Sequence, residues 1–273
     1  MGRNSRDLMF YRTQHSVRMI FISGLVGFLL LVTAEARVGN SSSLEFCTET
    51  QQCLLFDLIC ETGDYEVRHY DSVKWVSTKE TSFFMEMAAM RAFKRLYQYI
   101  TGANENAKKI GMTAPVLVKM VDKKFWEMGV YTMSFLLPLD HQINPPKPTD
   151  DKASFSAKKT SSSIFMFHSS LSQTLEDNEK CAGLQVYIQQ MPDMKVYVRS
   201  YGGWMTSMSD SNNAKSLSTA LNSVDAEYKK GFHYAAGYNS PMTMFNRHNE
   251  VWFVAEDEPV CPSSEELEYS FLS

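Results

Sequence analysis

Apolar and polar residues alternate over 65–70: Tyr65, Val67 and His69 share one face, and Glu66, Arg68 and Tyr70 the other. A period of two predicts a strand, and residues 74–79 (KWVSTK) predict a second, joined through Asp71-Ser72. The period then lengthens. Phe83, Met87, Met90, Phe93, Tyr97 and Ile100 recur at three- and four-residue spacing, which predicts a helix over 82–100 with this stripe as its apolar face. Ser82 is placed to cap its start, and Gly102 to stop it. Strands are predicted over 112–121, broken by Pro115, and over 128–137.

The same order returns further on. Residues 184–190 and 195–200 read as strands, and 210–228 as a helix with Ala214, Leu217, Leu221, Val224 and Tyr228 on one stripe, ended by Lys229-Lys230-Gly231. Residues 233–245, broken by Pro241, and 250–255 follow as strands. The reading is an α+β fold built from a duplicated ββαββ unit, with eight antiparallel strands and two long helices on the sheet. Pro145-Pro146-Lys147-Pro148 is a stiff linker between the halves.

The ends change the picture. Four arginines in residues 1–18, an apolar run over 19–32 and Ala34-Glu35-Ala36 form the basic, apolar and small-residue parts of a secretory signal peptide, assigned to 1–36. The run of 14 residues is short for a bilayer of about 30 Å, so no membrane association is expected after cleavage. From residue 37 onward the chain has 23 basic and 29 acidic residues, a charge of −6, which argues against a nucleic-acid partner. All five cysteines lie there, and the secretory route makes disulfides the expectation. Cys47, Cys53 and Cys60 mark 37–62 as a Cys-rich arm. Asn40-Ser41-Ser42 is a glycosylation sequon, so Asn40 is the acceptor. The last 18 residues, 256–273, form a tail with six acids and no base.

Candidate chemistry is sparse. The chain holds no nucleophile elbow, Walker loop, dinucleotide fingerprint or H-E-x-x-H, so no enzyme is expected. None of the six histidines pairs with another at metal-ligand spacing on one helix. His69 shares its face with Tyr65 and Val67, and a neutral imidazole there is competent to bind haem iron or to serve as a hydrogen-bonded core histidine. The methionines of the first helix (Met85, Met87, Met90) suit either a flat apolar ligand or the core, and Arg91, Lys94 and Arg95 either ligand carboxylates or water.

Several ordered blocks resemble the SOUL haem-binding protein family over about 63–255. They are residues 65–70 (YEVRHY), 74–78 (KWVST), 99–104 (YITGAN), 109–116 (KIGMTAPV), 145–148 (PPKP), 196–200 (VYVRS), 237–241 (GYNSP) and 246–252 (NRHNEVW). The resemblance implies two pseudo-twofold repeats, a distorted eight-stranded antiparallel barrel flanked by two helices, and reversible binding of haem or related tetrapyrroles without turnover. It places the macrocycle in an apolar groove beside the first helix, with Phe93 and Tyr97 lining it and His69 as the possible iron ligand. Gln98 stands where the family has a basic groove residue, leaving Arg91, Lys94 or Arg95 for the propionates. Two features depart from the family: the signal peptide, and about 31 Ser-rich residues over 153–183, which contain Cys181 and are either a surface loop or a gene-model artefact such as a retained intron. The other four cysteines flank the domain and allow three pairings, among them Cys60 with Cys261.

The expectation is a secreted, monomeric, non-enzymatic haem binder. The alternative is a protein-interaction module of the same fold without haem. It rests on a motif reported for the second helix of a family member, which the matching stretch 217–225 fits poorly. An enzyme of tetrapyrrole chemistry is a third reading, on fold analogy alone.

Overall fold

The computed structural model describes residues 37–124, 126–149 and 186–261. The residues assigned to a signal peptide, the whole Ser-rich insertion with Cys181, and most of the acidic tail lie outside them. In chain order the elements are β1 (Val38–Asn40), β2 (Gln52–Leu54), β3 (Asp57–Glu61), β4 (Glu66–Tyr70), β5 (Val73–Ser82), α1 (Met85–Ile100), β6 (Val116–Val121) and β7 (Gly129–Leu136). Then come β8 (Tyr187–Met191), β9 (Met194–Tyr201), α2 (Ser207–Ser223), β10 (Phe232–Gly237) and β11 (Asn249–Val254).

Short connections force antiparallel pairing, and every strand pair is antiparallel. The main sheet has nine strands in the order β3-β4-β9-β11-β10-β6-β7-β5-β8. It ends on β3 and β8 and is open, which corrects the expected eight-stranded barrel. The ninth strand comes from the Cys-rich arm, whose β3 pairs with β4. Its sequence hides the strand, because both Leu58 and Ile59 are exposed and no alternation results. β1 and β2 form a separate hairpin.

Opposed residues share a face. Val67 opposes Tyr197, Tyr197 opposes Phe253, Val251 opposes Ala235, Ala235 opposes Val118, and Val118 opposes Met133. This one face carries both helices, α1 over β5 and β7 and α2 over β9 and β11.

α1 starts at Met85, not Ser82, which closes β5 instead; its Oγ accepts from the Phe84 N–H. The buried residues of α1 are Met85, Ala88, Ala92, Leu96, Tyr99 and Ile100. The stripe read from sequence is therefore mostly the outward one: Phe83, Met87, Met90 and Tyr97 are exposed, and Phe93 is half-buried. The alanines let the helix approach the sheet closely, so small residues mark the packed face. α2 buries Ala214, Leu217 and Leu221 as expected, and Thr206 caps it through a reciprocal bond with Ser209. It stops at Ser223. Asp225 turns the chain at φ 51°, and Tyr228 is buried beyond the helix, bridged to Ala255.

Candidate functional site

The opposite face of the sheet holds a sealed polar cluster. Arg68 and Glu250 are both buried, and the Arg68 Nη1 donates to Glu250 Oε1 at 2.9 Å. The same carboxylate accepts from the Tyr238 hydroxyl at 2.9 Å and from the Trp252 indole at 2.7 Å, and His248 Nε2 lies 2.7 Å away. Burial alone would raise the Glu250 pKa. The Arg68 charge, with His248 and the indole, outweighs it and holds the group at about 2. Arg68 also donates to Glu66 and to the Tyr70 hydroxyl, so each partner is satisfied.

The Cys-rich arm closes this cluster. The Arg68 guanidinium lies 4.0 Å from the Phe56 ring centroid, and Phe46 stacks on His248 at 4.1 Å. Disulfides Cys47–Cys53 and Cys60–Cys261 hold the arm, the second tying its end to the chain just past β11. Glu49, inside the first disulfide loop, accepts bonds from Asn239, Ser240 and Thr243 and so clasps the β10–β11 loop. Asn40 is exposed, with its Oδ1 accepting from the Ser42 N–H.

The seven residues named for the haem site are dispersed. His69 does share its face with Val67, but its Nε2 lies 2.8 Å from Asp193 Oδ2 and its Nδ1 3.7 Å from Asp57 Oδ2. It sits on β4, whereas α1 packs over β5 and β7. Met90, Phe93 and Tyr97 gather on one flank of α1, the two rings stacked with centroids 6.0 Å apart. Met90 is 72% and Tyr97 51% exposed. Arg91 and Lys94 fall on the outer side of the helix at 100° per residue, and Arg95 on the flank away from Phe93. Arg95 is already bound to Glu80 and to the Thr78 hydroxyl.

A cleft of about 1160 Å³ opens elsewhere on the helix-bearing face, between the starts of α1 and α2. Phe83, Phe84, Trp126, Tyr131, Met208 and Phe232 line it, with His233 and Phe253 packed edge to face at 5.7 Å. His233 Nε2 lies 2.8 Å from Asp210 Oδ2, a buried carboxylate of α2. The two helix starts are linked by Glu86, which accepts from the Ser207 N–H and hydroxyl at 2.7 Å each. None of the seven sequence-named residues lines this cleft. Its residues come from a strand–helix junction, a hairpin loop, a second helix and β10, so no local period announces it.

Fold and cavity together define an antiparallel α+β protein with a ligand-sized aromatic cleft. The chain belongs to the SOUL haem-binding protein family: the model described as "SOUL heme-binding protein" matches residues 51–179 and 156–254. It is 31% identical to human "Heme-binding protein 2" over 201 residues, 73% of this chain and 82% of that protein. It is 25% identical to "Heme-binding protein 1" of Xenopus tropicalis over 70% of this chain and 83% of that protein. Among solved structures, the EcmrR C-terminal domain matches 74% of this chain and 99% of its own length, at 9% identity and a TM-score of 0.43.

Proposed function

We propose that this chain is a secreted, non-enzymatic protein that binds haem or a related tetrapyrrole beside α1, acting as a monomer. The observation that carries the reading is family membership in a chain whose first helix turns a large apolar surface outward. Met87, Met90 and Tyr97 on α1, and Phe83 and Phe84 just before it, are all exposed. Removing such surface from water releases roughly 25 cal/mol per Å², and a macrocycle laid on it does so. The two disulfides support an oxidising destination, and no helix among the described residues is long and apolar enough to cross a membrane. We read the strand order, β4-β9-β11-β10 from one end and β8-β5-β7-β6 from the other, as the trace of a duplicated ββαββ unit.

The residues present fit a tetrapyrrole in shape and polarity: aromatic and methionine walls for the ring, and basic side chains at the rim for propionates. Bound haem would supply its own iron chemistry. The chain's part is to hold the ring, shield it from water and pair its carboxylates. His69 keeps its carboxylate partners in this reading and is not required as an iron ligand.

The test is a titration of protein secreted from cells expressing the full chain with ferric haem, followed at the Soret band, with His69→Ala alongside. A saturable shift in both proteins is expected. No saturable shift in either would overturn the reading, and a shift lost only in the variant would restore His69 to the iron.

A further inference from the structure

The face of the sheet turned away from both helices carries more than the sealed cluster. Val118 and Met133 lie in the core under α1, so their neighbours Lys119 and Thr132 point to the opposite face. There Tyr234 opposes Lys119, Lys119 opposes Thr132, and Thr132 opposes Lys79, one row across β10, β6, β7 and β5. We infer that this row is a second binding site, for a sugar that carries a phosphate or sulfate ester, with Lys79 and Lys119 holding the ester from either side of Thr132. The inference is independent of the tetrapyrrole reading, which concerns the helix-bearing face.

Charge is the first argument. A groove of about 490 Å³ runs along this row, and none of the described residues that line it is acidic. From residue 37 the chain carries −6, so a wall with two lysines and no acid runs against the composition. Among the described residues Lys79, Lys119 and the nearby Lys229 form no ion pair. Lys119 is half-buried, with its Nζ 3.9 Å from the Phe232 ring centroid. Burial pushes the Lys119 pKa down, and the charges of Lys79 and Lys229 push it further. Like charges gathered without a carboxylate are relieved by an anion, and a tetrahedral oxyanion offers each ammonium its own acceptor.

Geometry is the second argument. Neighbouring strands lie about 4.8 Å apart, so the Cα atoms of Lys79 and Lys119, two strands apart in one row, are separated by roughly 10 Å. An ester group placed over Thr132 is within reach of both side chains. The rest of the lining suits a sugar: Thr132, Tyr187 and Tyr234 bring hydroxyls to the groove, and the two tyrosines also bring rings. The volume falls within the roughly 300–1,000 Å³ of small-molecule sites. Strand register alone fixes the row, so no loop has to move to assemble it.

The experiment titrates the protein secreted from cells expressing the full chain, by calorimetry, with glucose 6-phosphate, glucose 6-sulfate, unmodified glucose and inorganic phosphate. Two variants run alongside: Lys79→Gln with Lys119→Gln, and Lys79→Gln alone. Lys79 is exposed, so the single variant keeps the test open if the double one fails to fold, which circular dichroism checks. Saturable binding of at least one ester is expected, the tighter of the two naming the anion, with glucose itself much weaker. That ester should bind roughly tenfold more weakly to the single variant and roughly a hundredfold more weakly to the double, about 1.4 kcal/mol for each ammonium lost. Haem affinity read at the Soret band should stay within about twofold in both variants. No saturable binding of either ester, or unchanged ester binding in a folded variant, overturns the site and leaves the tetrapyrrole reading standing. Inorganic phosphate bound as tightly as the esters overturns the assignment to a sugar, and a haem affinity that falls together with ester affinity overturns the separation of the two sites.

Discussion

The two faces of the sheet use the same residue types to opposite ends. On the arm-covered face, aromatics enclose an arginine and a glutamate that are both buried, and both oxygens of the glutamate are hydrogen-bonded. On the helix-bearing face, aromatics and lysines line a cleft and remain open, with Phe84 61% and Trp126 72% exposed. The contrast separates a buried polar network that fixes the fold from an apolar surface left in contact with water. A charged residue in the sealed cluster should govern stability, and one in the open face should govern binding.

The largest expected effect breaks the sealed face. Glu250→Gln removes the buried counter-charge of the Arg68 guanidinium and leaves only the half-buried Glu66 paired with it, and a loss of about 3 kcal/mol is expected in urea unfolding. The same group sets an acid limit. Its pKa is depressed to about 2 from an ordinary carboxylate value. Its stabilising contribution is therefore fully present above about pH 4.5 and is lost as pH falls through 2. Thermal unfolding followed from pH 6 to pH 2 should show this loss in the parent chain and a flatter profile in Glu250→Gln.

Removing the Cys60–Cys261 bridge by Cys60→Ser with Cys261→Ser comes next, at about 2–5 kcal/mol, since it closes a span of 201 residues. Porphyrin affinity should stay within about twofold, because the bridge serves the arm and not α1. The smallest effect is expected for His69→Ala. Its ring is partly exposed and pairs with surface carboxylates, so stability should move by only about 0.5 kcal/mol in chemical unfolding.

Much of this division was legible in the chain. The alternation of 65–70 placed Arg68 and Tyr70 on one face and Val67 and His69 on the other, as the structure has them. Both helices and the eight strands of the two halves were read in their order, although the strand read over 233–245 stops at Gly237 and the helix read over 210–228 spans Ser207–Ser223. In α1 the largest apolar residues were taken as the packed stripe, while the packed face is built on Ala88, Ala92 and Leu96. Where the helix sits closest to the sheet only small residues such as Ala88 and Ala92 fit, so the size of a side chain does not by itself mark the packed face. β3 was missed because an edge strand with both Leu58 and Ile59 in water has no alternation to read. The cleft was illegible for another reason. Phe83, Trp126, Met208 and Phe232 are far apart in sequence, and it takes the pairing of β6 with β10 and the Glu86–Ser207 link between the helix starts to bring their segments together.

The most direct measurement is amide hydrogen exchange on the secreted protein with and without saturating protoporphyrin IX. The expected result is ligand-dependent protection in residues 83–97, on α1 and just before it, and none in 66–70 on β4. Protection centred on 66–70, or no ligand-dependent protection anywhere, would contradict the account.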